Sequence, residues 1–252
     1  MLELLKVRIN HGYQAIKDIK RAGIDPMHRG FPEIRDRACL KGCSDCSDIC
    51  PAGAIRAKPF GIDLGKCIFC GDCERECRND VIKFTNFYKT ASSNRESLIV
   101  SSKTSSQNYQ KNAFEINNRI KNIFKRSLKL RQVSAGGCNG CEMELNACSN
   151  VNFDMGRFGI DVVASPRHAD GIIITGPVTK NMSKALFDTY EAVPEPKIII
   201  LAGACAISGG LFAGTEAVNR EFLDRHKPDI FVPGCPVHPL TFINGILDFL
   251  EA

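Results

Sequence analysis

The sequence has no long apolar run. Its longest candidates, Gly171–Thr175 and residues 198–204, are strand-sized. A membrane-spanning helix needs roughly 18 or more apolar residues, so the chain is not expected to cross a bilayer. Nor is there an unbroken apolar stretch at the start. Glu3, Lys6 and Arg8 interrupt the segment where a secretory signal requires continuity, so secretion is not expected. No histidine lies among the eight cysteines of the first half. Zinc sites usually take separated C-x2–4-C pairs or histidine, so this absence weighs against them. The net charge of +5 is concentrated in residues 103–131, where eight basic residues meet one acid. No recognition motif accompanies that stretch, which reads as a solvated or protein-docking face and not as a nucleic-acid site.

What the sequence does have is cysteine, thirteen in 252 residues. In a small secreted chain that number would suggest disulfides. Here most of them fall into tight C-x-x-C groups, a metal-ligand spacing that points to a reducing cytoplasm. The first block reads Cys39-L-K-G-Cys43-S-D-Cys46-S-D-I-Cys50-Pro51, then Cys67-I-F-Cys70-G-D-Cys73-E-R-E-Cys77-Arg78. Gaps of two residues wrap thiolates onto adjacent corners of a cubane, and the fourth iron takes the last cysteine of the other run. An internal repeat supports the crossing: Cys43, Cys46, Cys50 and Ile55 match Cys70, Cys73, Cys77 and Ile82 at a constant offset of 27 residues. One cluster is therefore assigned to Cys39, Cys43, Cys46 and Cys77, and a second to Cys67, Cys70, Cys73 and Cys50. The block resembles a bacterial-type ferredoxin with two 4Fe–4S clusters over residues 31–90. It departs from that pattern twice. Three residues separate Cys39 from Cys43, which leaves open a three-iron cluster, and Arg78 stands where proline is expected.

Residues 2–20 place Leu2, Leu5, Ile9, Tyr13, Ile16 and Ile19 at helical spacing, predicting an amphipathic helix for a partner subunit or, less well, a membrane surface. Residues 90–107, rich in Ser, Asn and Lys, read as a linker, and 108–128 as a basic helix. Beyond them, five apolar runs end in glycine-rich turns: 131–137, 161–165, 171–176, 197–204 and 229–234. Strands alternating with helices predict a parallel sheet covered on both faces. Four cysteines terminate these runs: Cys138, Cys141, Cys205 and Cys235. Sites in such sheets form at the carboxyl ends of strands, where these four could converge on a third cluster. Cys148 fits no group and reads as a buried helix residue.

Here a further resemblance enters. C-N-G-C-E-M-E at 138–144, S-P-R-H-A-D-G at 165–171, T-G-P-V-T at 175–179, G-A-C-A-x-S-G-G at 203–210 and G-C-P at 234–236 resemble one family. It is the small-subunit family shared by energy-converting, membrane-bound NiFe hydrogenases and respiratory complex I, where the equivalent chain is the B-type subunit. The resemblance implies a flavodoxin-like parallel-sheet domain preceded by a small ferredoxin-like α+β domain. Its boundaries are an N-terminal extension (1–30), the two-cluster ferredoxin (31–90), a linker with a basic helix (91–128) and the small-subunit domain (129–252). It implies that Cys138, Cys141, Cys205 and Cys235 bind a 4Fe–4S cluster. The complex I members have adjacent cysteines at the first position, whereas the hydrogenases have C-x-x-C, as here. Glu144 aligns with an acid of both branches and is a candidate proton relay. Arg167 and His168 are expected near the cluster or a partner, or as a buried hydrogen-bonded pair. His238 stands where a Pro-rich or Arg-bearing loop is expected, either donating a hydrogen bond or facing solvent.

The implied role is an oxidoreductase subunit with three 4Fe–4S clusters, passing low-potential electrons between a soluble ferredoxin or similar donor and the NiFe site of a hydrogenase large subunit. The paired C-x-x-C motifs that hold nickel are missing, so the chain is not expected to do the hydrogen chemistry alone. Membrane subunits of the complex are expected to hold it at the cytoplasmic face. The alternative is the equivalent subunit of a nickel-free, complex I-like quinone or ferredoxin oxidoreductase. A third class is a zinc-stabilised module that uses the basic segment on nucleic acid.

Overall fold

The computed structural model describes residues 2–35, 39, 43–114 and 127–251. The first half carries two small antiparallel sheets. Strand β1 (Pro32–Ile34) pairs with β4 (Ile82–Phe84), and β2 (Ile55–Ala57) pairs with β3 (Phe60–Asp63), which also pairs with β5 (Ile99–Val100). The β1–β4 and β2–β3 pairings each join one copy of the sequence repeat to the other: Ile34 opposes Ile82, and Ile55 opposes Ile62. Short helices Asp45–Asp48 and Asp72–Glu76 carry the middle cysteines of each run.

The second half is a five-stranded sheet of β6 (Leu128–Ser134), β7 (Ile160–Val162), β8 (Gly171–Thr175), β9 (Ile198–Ala202) and β10 (Ile230–Val232), all parallel in the order β10-β9-β8-β6-β7. Numbered within this sheet, the order is 2-1-3-4-5, the flavodoxin-like topology, whose switch point lies between its first and third strands. The runs GIIIT and IIILA are buried throughout, because central parallel strands are covered on both faces. Alternation divides them. Ile172 and Ile174 join a core with Leu186, Phe222 and the ferredoxin residues Phe31, Leu64, Leu98 and Val100. Ile173, Ile198 and Ile200 join a core with Leu145 and the helix Pro239–Glu251. Among the described residues, no helix is long and apolar enough to cross a membrane.

Three expectations change. The first helix is Leu2–His11, not 2–20. Gly12 follows at φ +62°, a left-handed residue that ends a helix, and Ile16 and Ile19 turn into the core. Asp18 then caps a 3₁₀ turn, Ile19–Arg21, accepting from the Lys20 N–H at 3.0 Å. Residues 91–107 are no loose linker. They supply β5, bury Leu98 and Val100, and pair Ser92 with Phe231 on the open edge of β10 through bonds of 2.9 and 2.8 Å. Of the basic helix expected over 108–128, Ser106–Asn112 is helical, residues 115–126 lie outside the described residues, and Leu128 already belongs to β6.

Candidate metal centres

The structure gathers twelve of the cysteines into three sets. Cys39, Cys43, Cys46 and Cys77 line one cavity of about 210 Å³, with Ile55, Phe60, Val81 and Ile82 as its apolar wall. Cys77 comes from the second run, and both it and Cys39 lie within electrostatic reach of Cys46. The residues between Cys39 and Cys43 lie outside the described residues. Arg78 lines the same cavity with an exposed side chain, 3.7 Å from Asp45.

Cys50 crosses the other way. It lies within reach of Cys67 and Cys73, as does Cys70. Burial pushes the Cys67 and Cys73 thiols up to about 12, and the neighbouring sulfurs add to it. Backbone N–H groups point at sulfur in matching places: Ala54 donates to Cys50 and Val81 to Cys77, each at 3.3 Å and 27 residues apart. Phe69 donates to Cys67 at the same distance.

The third set stands at the carboxyl ends of β6, β9 and β10. Asn139, at φ +68°, turns the chain out of β6 into the helix Gly140–Ala147, which begins between Cys138 and Cys141. Cys141 is pushed up to about 12 by burial, against the Val237 N–H that lowers it, with Cys235 and Cys205 near. Glycine makes this packing possible. A Cβ on Gly203, at φ +97°, would stand 2.7 Å from the Cys141 sulfur, and one on Gly210 would stand 2.8 Å from that of Cys205.

Cys235 faces Cys138 of its own set and also Cys70 of the second. Cys73 of the second faces Cys46 of the first. Between Cys70 and Cys235 lies a cavity of about 340 Å³, lined also by His28, Glu144 and His238. Burial raises the Glu144 carboxyl above its usual range. His238 is half-buried and accepts a hydrogen bond where donation was expected. Its Nδ1 accepts from the Leu240 N–H at 3.1 Å, its ring lies 5.2 Å from that of His28, and burial lowers it to about 4.

Arg167 and His168 are neither beside the third cysteine set nor a buried pair. They are exposed, in the turn Pro166–His168 before β8, at the end of the sheet away from the cysteines. Cys148 is fully buried, its thiol donating to the Glu144 carbonyl at 3.3 Å. The residue that sequence reasoning missed is Glu142. Its Oε1 accepts from Ser134 at 2.7 Å and from buried Thr175 at 2.6 Å, fastening the cysteine helix across the β6–β8 switch point.

The donor set fits iron–sulfur clusters: thiols whose protons iron displaces, N–H donors on sulfur, and glycine cradles for a bulky group. Among the described residues, no three His, Cys, Asp or Glu side chains group tightly enough for a single metal ion.

Comparison with known proteins agrees with this chemistry. Residues 60–83 match the 4Fe-4S binding domain, and 138–249 match the NADH ubiquinone oxidoreductase, 20 Kd subunit. An uncharacterized protein of Methanocaldococcus jannaschii is 43% identical over 130 residues, 51% of this chain and 86% of that one. A probable membrane-bound hydrogenase subunit of Pyrococcus furiosus is 42% identical over 50% of this chain and 75% of its own length. An NADH-quinone oxidoreductase subunit of Geotalea daltonii is 45% identical over 42% and 62% respectively. With a match to the 4Fe-4S binding domain ahead of a segment similar in sequence to a probable hydrogenase subunit and an NADH-quinone oxidoreductase subunit, the chain belongs to the NADH ubiquinone oxidoreductase 20 Kd subunit family and is an electron-transfer subunit of an oxidoreductase.

Proposed function

We propose that the three cysteine sets hold three 4Fe–4S clusters: Cys39, Cys43, Cys46 and Cys77; Cys67, Cys70, Cys73 and Cys50; and Cys138, Cys141, Cys205 and Cys235. Bound there, they would supply one-electron transfer between a low-potential, ferredoxin-type donor and the NiFe site of a hydrogenase large subunit. The observation that carries this reading is the succession of facing sulfurs, Cys46 to Cys73 and Cys70 to Cys235. It orders the sets in a row with the ferredoxin's second set in the middle. The chain's own work is to hold that order and to keep the inner thiolates out of water, since burial and N–H donors tune cluster potentials.

The C-x-x-C at Cys138 favours a nickel-bearing partner over a nickel-free, complex I-like one. The name of the Pyrococcus furiosus relative supports a membrane-bound complex; partner subunits would hold this chain peripherally at its cytoplasmic face. Glu144, on the cavity between the second and third sets, is the candidate proton relay. The test is metal analysis of the complex purified without oxygen. About twelve irons per chain, with nickel in a co-purifying large chain, is the expected result. About eight irons would overturn the three-cluster reading, and a nickel-free large chain would transfer the role to the complex I-like alternative.

A further inference from the structure

Arg220 opens the helix Glu221–Arg225, yet its side chain runs inward. Its Nη2 donates to the Ile207 carbonyl at 2.9 Å, and its Nη1 lies 3.3 Å from the Pro177 carbonyl and 3.5 Å from that of Cys205. Two of those carbonyls belong to the five-residue helix Ala204–Ser208, which carries Cys205. The third lies in the turn after β8. Carbonyls at the end of a helix lack partners within it and favour a cation there. Arg220 therefore ties the Cys205 helix to the neighbouring strand turn.

The guanidinium also places a positive charge behind Cys205. Arginine keeps that charge at any pH the protein meets. Its electrostatic neighbours are Asp224, exposed on the same short helix, and Arg95. Arg95 is itself matched by Asp63, through bonds of 2.8 and 2.7 Å. The charge of Arg220 is thus only partly offset, and by a solvated carboxylate. On the other side of the set, Glu142, held by two hydroxyls, is the opposing charge beside Cys141 and Cys205.

We infer that Arg220 is a positioning residue that raises the reduction potential of the cluster held by Cys138, Cys141, Cys205 and Cys235. This rests on the three-cluster reading above. The sign follows from charge: the reduced cluster holds one electron more than the oxidised one, so a fixed cation behind Cys205 favours it. In a partly buried site the attraction is weakly screened. Arg75 makes the corresponding contact in the second set, donating to the Cys70 carbonyl at 3.2 Å, so Arg220 sets the third cluster's own midpoint and not its rank among the three.

The test is a mediated redox titration of the intact complex, followed by electron paramagnetic resonance, on the wild type, Arg220→Gln and Arg220→Lys, with iron counted in each. All three are expected to carry full iron. At a fixed solution potential near the midpoint, Arg220→Gln is expected to lower the reduced-to-oxidised ratio of the third cluster about tenfold, a shift of about 59 mV for one electron. Arg220→Lys, which keeps the charge, is expected to stay near the wild type. An unchanged midpoint in Arg220→Gln, or an equal shift in both variants, overturns the inference. Loss of the third cluster's iron in both variants overturns it too, leaving Arg220 as a strap alone. If only Arg220→Gln loses that iron, Asp224→Asn decides: a raised third midpoint upholds the inference and an unmoved one overturns it. A wild type with only about eight irons overturns the three-cluster reading first, and is distinguishable from every other result.

Discussion

Glu142 and Glu144 sit two positions apart on one helix, and the fold treats them differently. Glu144 lines a cavity, while Glu142 is buried against the hydroxyls of Ser134 and Thr175. Glu142→Ala leaves both hydroxyls without their charged acceptor, and a loss of about 2–3 kcal/mol is expected. Anaerobic thermal unfolding would read this as a lowered midpoint, with Glu142→Gln in between. Cys148→Ala tests the remaining cysteine. It should leave the iron count untouched and cost about 1 kcal/mol for the small cavity it opens; any loss of iron would make Cys148 a ligand. The C-x-x-C runs themselves were legible in the sequence because their spacing is local chemistry. The burial of Glu142 was not, since its acceptor role depends on Thr175, 33 positions away on another strand. The same holds for His238, whose environment is set by His28 from the far end of the chain.

At the scale of elements, the strand runs of the second half were legible because residues 171–175 and 198–202 are unbroken apolar stretches that only a doubly covered sheet accommodates. The first helix was legible in type but not in length. Ile16 and Ile19 keep helical spacing with Leu2 and Leu5, yet Gly12 breaks the helix and sends them into the core. The surviving helix, Leu2–His11, buries none of its residues, and Leu2 and Ile9 remain 75% and 77% exposed. Removing residues 2–11 should therefore leave the thermal midpoint and iron content of the isolated chain unchanged. A clear drop in either would mean that the helix packs in solution. Gly203→Ala acts on a turn instead. It meets both a left-handed backbone and the Cys141 sulfur, and is expected to lose the iron of the third set while the ferredoxin sets keep theirs. Iron counting and resonance spectra of the variant would check it.

For the whole molecule, the boundary between the halves matters most. Asp63 of β3 is 2% exposed and grips Arg95 with both oxygens, while Gly65 packs against Ile207 beside the third set. Asp63→Ala would strand a partly buried guanidinium and is expected to cost about 3 kcal/mol. Adding Arg95→Met should recover part of that loss, which a double-mutant comparison of thermal midpoints would reveal; a double loss equal to the sum of the two single losses would show that the pair is not coupled. The Ser-rich composition of residues 90–107 gave no hint of this seam, because Ser92 crosses it through its backbone, pairing with Phe231, while its hydroxyl donates locally to the Ala113 carbonyl at 2.7 Å.

The backbone pairing of Ser92 with Phe231 has one more consequence. Two carriers that meet by diffusion exchange electrons at a rate that depends on concentration, ionic strength and the lifetime of each encounter. Here the meeting is completed once, when the chain folds. The gap between Cys70 and Cys235 becomes a property of a single molecule, unaffected by dilution and beyond the reach of any competing redox protein.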